Sequence, residues 1–168
     1  MTELTLDFPP FVSAAQSAAA AQRFERFRAM IASPGDPLAG RVQFQATCMI
    51  CHQVKGEGMK IGPDLSGVGA MGVEAILRNV LDPNAQLESG YYRHDIALLD
   101  GSLVSGFLLE EKAESITIRP IGADPKVIAR SNISKHTISK RSIMPEGLIE
   151  GFKEKQVADL FSYLKSLK

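Results

Sequence analysis

The amino-acid sequence predicts an α+β protein: mainly helical, with a small antiparallel β-sheet inserted between a glycine-rich loop and a methionine-bearing loop ahead of the last helix. Three observations predict it. Apolar residues recur at helical spacing near both ends, at Phe24, Phe27 and Ile31, and again at Val157, Leu160, Phe161, Leu164 and Leu167. From Tyr91 the period falls to two, with Tyr92, His94, Ile96 and Leu98 alternating with Arg93, Asp95 and Ala97. Between these regimes, residues 53–72 contain Gly56, Gly58, Gly62, Gly67, Gly69 and Gly72 and show neither period.

Along the chain, residues 1–12 read as an extended lead-in in which Pro9 and Pro10 block a helix. Ser13 to about Ala32 is rich in strong helix formers. Its apolar spacing makes it a docking or capping helix within an N-terminal extension, residues 1–35. Ser33-Pro34-Gly35 stops it, and Asp36-Pro37 starts another as an N-cap with proline in the first turn. That short helix runs through Val42 and Phe44 to about Thr47 and delivers Cys48 at its end. Val73 to Leu81 forms a third helix, with Ile76, Leu77 and Val80 on one side, and Asp82-Pro83-Asn84 ends it.

The alternating run through Leu98 is followed by Asp100-Gly101 and then Leu103, Ser105, Phe107 and Leu109. This spells a β-hairpin with a two-residue turn or a close variant. Ser115–Arg119 and Lys126–Ala129 are two further strands, so four or five short antiparallel strands are expected. The last helix spans about Glu154 to Leu167. The expected order is helix, helix, loop, helix, sheet, helix.

Composition narrows the function. With 19 basic and 19 acidic side chains in 168 residues, the chain carries no nucleic-acid footprint and no basic run suited to an anionic membrane. No stretch approaches the roughly 20 apolar residues of a membrane span. The N-terminus lacks the basic start and apolar core of a secretory leader. A protein working outside the cytoplasm would have lost its leader, or begin within a longer chain. The only cysteines, Cys48 and Cys51, are too close for a useful structural disulfide.

Cys48-Met49-Ile50-Cys51-His52 is C-x-x-C-H, the spacing of covalent haem attachment. Two thiols one helical turn apart match the two vinyl groups on one porphyrin edge, and the following histidine then lies under the iron. The cofactor expected is one haem c. A redox dithiol would want a βαβ setting and a low-pKa thiolate at a helix N-terminus, whereas these cysteines follow a helix. A zinc site would want four ligands, and no second close pair is present.

Met144 is the sixth-ligand candidate, in Ser142-Ile143-Met144-Pro145 just ahead of the last helix. The proline fixes the backbone there. Met59 is the methionine runner-up, in the glycine loop close to His52, near in chain for reaching the opposite haem face. Met49 lies inside the motif, and Met71 has no distinguishing context. His94 falls in a strand and His136 in a polar segment, and both read as surface or strand histidines. Pro63, in Gly62-Pro63-Asp64-Leu65, is expected to accept the second ring N–H of His52 through its carbonyl.

These residues resemble a known family. The Cys48–His52 motif, Lys55-Gly56-Glu57-Gly58 and Ile61-Gly62-Pro63-Asp64-Leu65 resemble the haem-binding domain abundant in Planctomycetes and Verrucomicrobia. So do Leu81-Asp82-Pro83, Gly90-Tyr91-Tyr92, Ser142–Leu148 and Ala158–Leu164. The resemblance covers roughly residues 36–168. It implies a class I cytochrome c fold split by a β-rich insertion, residues 91–139, between the proximal loop and the axial-methionine loop. It also implies a periplasmic or otherwise extracytoplasmic carrier that takes electrons from a dehydrogenase and passes them to a cytochrome or oxidase.

Taken together, these readings give a monohaem electron carrier, not an enzyme, with His52 and Met144 as iron ligands. Phe44, Ile61, Leu65, Ile76, Leu77, Leu160 and Tyr163 are expected to pack around the haem. A haem-based ligand-binding or sensor module with a labile sixth ligand is the alternative. A small peroxidase is a third possibility, for which no distal acid–base pair speaks.

Overall fold

The structure, a computed structural model, describes residues 3–8, 13–87, 89–120 and 122–168. Pro9 and Pro10 lie outside them. In chain order the elements are β1 (Glu3–Asp7), α1 (Ala14–Ala32), α2 (Pro37–Thr47), β2 (Gln53–Val54), β3 (Glu57–Gly58), α3 (Val73–Leu81), β4 (Arg93–Leu98), β5 (Leu103–Glu111), β6 (Ser115–Pro120), β7 (Lys126–Ala129), β8 (Ile133–Ser139) and α4 (Glu154–Ser166). They gather into two compact units. One holds the helices, up to Pro83 and again from Met144 to Lys168; the other holds β1 and Asn84–Ile143.

In the helical unit, α1 begins with a capping box. The Gln16 N–H donates to Ser13 Oγ at 3.3 Å, and the Ser13 N–H donates to Gln16 Oε1 at 2.8 Å. Its first two turns are exposed all round; alanine propensity, not packing, keeps them helical. From Phe24 onward it docks. Phe27 is buried in the core and Arg23 reaches Glu150 at 2.5 Å. The sequence separates this helix as an extension, whereas its second half packs within the helical unit.

Helix α2 starts as expected, with Asp36 Oδ1 accepting from the Leu38 N–H at 2.8 Å ahead of Pro37. Its crossing with α4 is unusually close. A Cβ on Gly40 would lie 1.9 Å from the Asp159 carbonyl oxygen, so only glycine fits there. One turn on, Phe44 is fully buried, its ring 5.3 Å from that of Tyr163. Phe44, Leu77, Ile149, Val157, Leu160 and Phe161 form the centre of this core.

The sheet unit has strand order β1-β8-β4-β5-β6-β7, antiparallel except for the parallel β1–β8 pair. Ile96, Ile116, Ile118, Ile128 and Ile133 make its core. The β4–β5 connection is the close variant of the expected turn. The Gly101 N–H donates to the Leu98 carbonyl, the Leu98 N–H donates to the Ser102 carbonyl, and Gly101 takes φ 85°. That is a three-residue loop with a glycine bulge. Beyond the four strands read from the sequence the sheet gains β8 at the end of the stretch, and it recruits β1 from the lead-in beside β8.

Candidate haem-binding site

Helix α2 carries Cys48 on its last turn, where the Cys48 N–H donates to the Phe44 carbonyl at 2.7 Å. The coil continues for one more turn. The N–H groups of Cys51 and His52 both donate to the Cys48 carbonyl, at 3.0 and 2.8 Å. This turn sets Cys51 and the adjacent His52 one coil after Cys48 on one short segment. Neither cysteine is in a disulfide, and both are half-buried. Burial, reinforced by the neighbouring Cys51, pushes the Cys48 thiol up to about 12. A thiol held neutral in this way is the opposite of an activated redox dithiol. Among the described residues no three His, Cys, Asp or Glu side chains converge as a metal site.

His52 is fixed from two sides. Its Nδ1–H donates to the Pro63 carbonyl at 2.8 Å, the tautomer this acceptor requires, leaving Nε2 with the free lone pair. Burial pushes its pKa below the ordinary imidazole value, and the Pro63 bond opposes that shift. On the other side Gly62 lies against the ring. A Cβ there would meet Cε1 at 2.6 Å and Nδ1 at 2.9 Å. The segment carrying Gly62 and Pro63 folds back on the motif, since the N–H groups of Ile61 and Gly62 both donate to the Cys51 carbonyl, at 3.0 and 2.7 Å. Two thiols on one turn and an oriented imidazole in a glycine cradle fit a covalently held haem.

The glycine-rich stretch is more ordered than the sequence suggests. β2 and β3 pair as a short hairpin, and Lys55 and Gly56 turn it with φ 51° and 86°. Of the residues expected around the haem, Phe44, Ile61, Ile76, Leu77 and Leu160 are buried, while Leu65 and Tyr163 are half-buried against the helical core. Met144 is half-buried in the helical unit, the unit that holds His52. Met49 packs on the same core, and Met59 and Met71 are exposed.

The two remaining histidines are brought together elsewhere. His94 on β4 and His136 on β8 are both buried in the sheet unit, with His94 Nδ1 2.8 Å from His136 Nε2. The reading of His136 as a residue of a polar segment, surface or strand, is corrected on one point: it lies in a strand, but it is buried.

Residues 38–94 match the cytochrome c family profile. The match runs from α2 through the C-x-x-C-H motif to the start of β4, and Met144 and α4 lie beyond it. It supports a c-type haem-binding domain and an electron-transfer protein. With four α-helices and a six-stranded sheet among the described residues, the chain is α+β, as expected. No curated protein matches it.

Sequence reasoning missed three residues that shape the site. Gly62 and Gly40 are close-approach glycines, and nothing in sequence separates them from loop and helix glycines. Asp159 is a buried carboxylate where α4 meets the start of α2. It accepts from the Asp36 N–H and the Lys155 ammonium, both at 2.6 Å, and so pins the start of α2. At helical spacing Asp159 falls on the opposite side of α4 from the apolar stripe, where an acid reads as solvent-facing.

Proposed function

We propose that this chain is a monohaem c-type cytochrome that moves one electron at a time between redox proteins outside the cytoplasm. Its haem is held through Cys48 and Cys51, and His52 and Met144 are the axial ligands. One observation carries the reading: His52 directly follows Cys51, one turn after Cys48, with Nδ1 bonded to the Pro63 carbonyl, so Nε2 is presented as a ligand. Redox chemistry comes from the haem iron; the chain's own part is to hold, orient and shield. Phe44, Ile61 and Leu160 supply apolar walls that exclude water. Met144 contributes a thioether that favours the reduced state. The proposed donor is a dehydrogenase and the proposed acceptor a cytochrome or oxidase, as in the Planctomycete and Verrucomicrobia domain that the sequence resembles.

The test is spectroscopic. Chain made with a working haem-attachment system should be red, with an intact mass of polypeptide plus one haem. Its ferric form should be low-spin with a methionine–iron charge-transfer band. Met144→Ala should abolish that band and lower the potential. A colourless product with the mass of bare polypeptide overturns the haem reading. A ferrous form that is five-coordinate and takes up carbon monoxide overturns the carrier role in favour of a sensor.

A further inference from the structure

The hydrogen bond that orients His52 depends on one carbonyl, and Pro63 has no N–H with which to anchor its own peptide. Its position is therefore set by its neighbours. Upstream, the Gly62 N–H is tied to the Cys51 carbonyl at 2.7 Å. Downstream, the Leu65 N–H donates to the Gln53 carbonyl at 2.8 Å. A chain of side-chain bonds then reinforces the downstream anchor. Asp64 Oδ1 accepts from the Ser66 N–H at 2.7 Å and from the Ser66 hydroxyl at 2.5 Å. The Ser66 hydroxyl in turn accepts from the Lys55 N–H at 2.6 Å. Lys55 is the described non-glycine residue with a left-handed backbone, at the turn of the β2–β3 hairpin. The clasp thus joins the residue after Pro63 to the turn that follows His52, and closes the loop that carries the carbonyl.

We propose that Asp64 and Ser66 are positioning residues that hold the Pro63 carbonyl on His52 Nδ1 and thereby set the electron donation of the axial imidazole. The inference rests on the haem reading above. A firm Nδ1–H···O bond makes the imidazole a stronger donor and favours ferric iron. Loosening the clasp lengthens that bond, weakens the donation and shifts the balance toward the ferrous form. Neither residue touches the ring.

The experiment uses the haem-loaded full chain, with Ser66→Ala as the main variant because it removes the hydroxyl and leaves all charges in place. Two quantities are read: the ferrous-to-ferric ratio at fixed ambient potential, and the exchange rate of the His52 Nδ1 proton by NMR. Ser66→Ala should raise the ratio about threefold and speed the exchange, and Ser66→Thr, which keeps a hydroxyl, should restore both. Asp64→Asn weakens the same bonds without deleting the side chain; its exchange rate decides the matter if Ser66→Ala loads haem poorly. Wild-type protein that loads haem, with ratio and exchange unchanged in both variants, overturns the clasp and leaves the cytochrome reading standing. Wild-type protein that carries no haem overturns that reading and the inference with it.

Discussion

Acidification should loosen the sheet unit well before the ordinary carboxylate range, because of the His94–His136 pair. One ring donates its N–H to the other, so the pair needs a neutral acceptor imidazole, and a buried pair in which both rings are charged cannot keep the bond. Burial, and then the proximity of His136, push His94 down to about 4 from its ordinary 6.5, against the opposing pull of Glu111 and Asp95. Burial lowers His136 too, with Arg130 adding to the effect and Glu111 opposing it. On that face of the neighbouring strands stand Leu4 and Leu6 of β1, Val104 of β5 and Ile138 of β8, together with Ser134 of β8, whose hydroxyl donates to the Ala97 and Leu98 carbonyls.

A histidine whose folded pKa lies below its unfolded one stabilises the fold fully above about 6.5, and that contribution is lost as pH falls toward 4. For His94 alone the gap is worth about 3 kcal/mol, or roughly a hundredfold in the opening equilibrium. Amide hydrogen exchange of β4 and β8 in the full chain, corrected for intrinsic rates, reads this directly. Protection should be flat from pH 8 to 6.5 and fall about a hundredfold by pH 4. Replacing the pair together, His94→Leu with His136→Leu, should flatten the profile, since two apolar groups leave no orphaned donor. Imidazoles that both titrate near 6.5, or protection that does not change down to pH 4.5, would refute the reasoning.

Two glycines give further tests. Gly40→Ala gains about 1 kcal/mol of helix propensity, but its Cβ lands on the Asp159 backbone, which cannot rotate away. Overpacking of about 2–3 kcal/mol or more wins, and the urea midpoint should fall. Gly62→Ala drives a Cβ into the His52 ring. Its ferric spectrum should show a high-spin fraction that the wild type lacks, and an unchanged spectrum would remove Gly62 from the site.

The parts legible in the sequence are those whose chemistry is local. Asp36-Pro37 starts α2, the Val73–Leu81 apolar face specifies α3, and C-x-x-C-H packs three functions into five residues. Pro63 was legible because its partner is 11 positions away. Strand β8 was not, because His136 and Ser139 fill buried positions that a strand pattern expects to be apolar. Nor was β1: Leu4 and Leu6 alternate but stay exposed, and the strand is held by the backbone of β8, more than 130 positions away. The pairing of His94 with His136 spans 42 positions and follows from the strand order β8-β4, which no local pattern encodes.

That strand order also bears on how a ligand pair 92 positions apart can serve one haem on the proposed reading. The chain leaves the helical unit after Pro83 and rejoins it at Met144. A flexible excursion of 60 residues, Asn84–Ile143, would have to be closed against its own entropy every time Met144 took its place. Here the excursion closes itself. β4 and β8, its first and last strands, are direct neighbours with Arg93 opposite Ser139. At its two ends the Ser142 N–H donates to Asn84 Oδ1 at 2.8 Å. The exit and return points are thus fastened within the sheet unit, and its own hydrogen bonds and isoleucine core offset the closure entropy. The whole of Asn84–Ile143 is therefore an insertion whose first and last strands are neighbours, so the pairing that builds the sheet also closes the excursion.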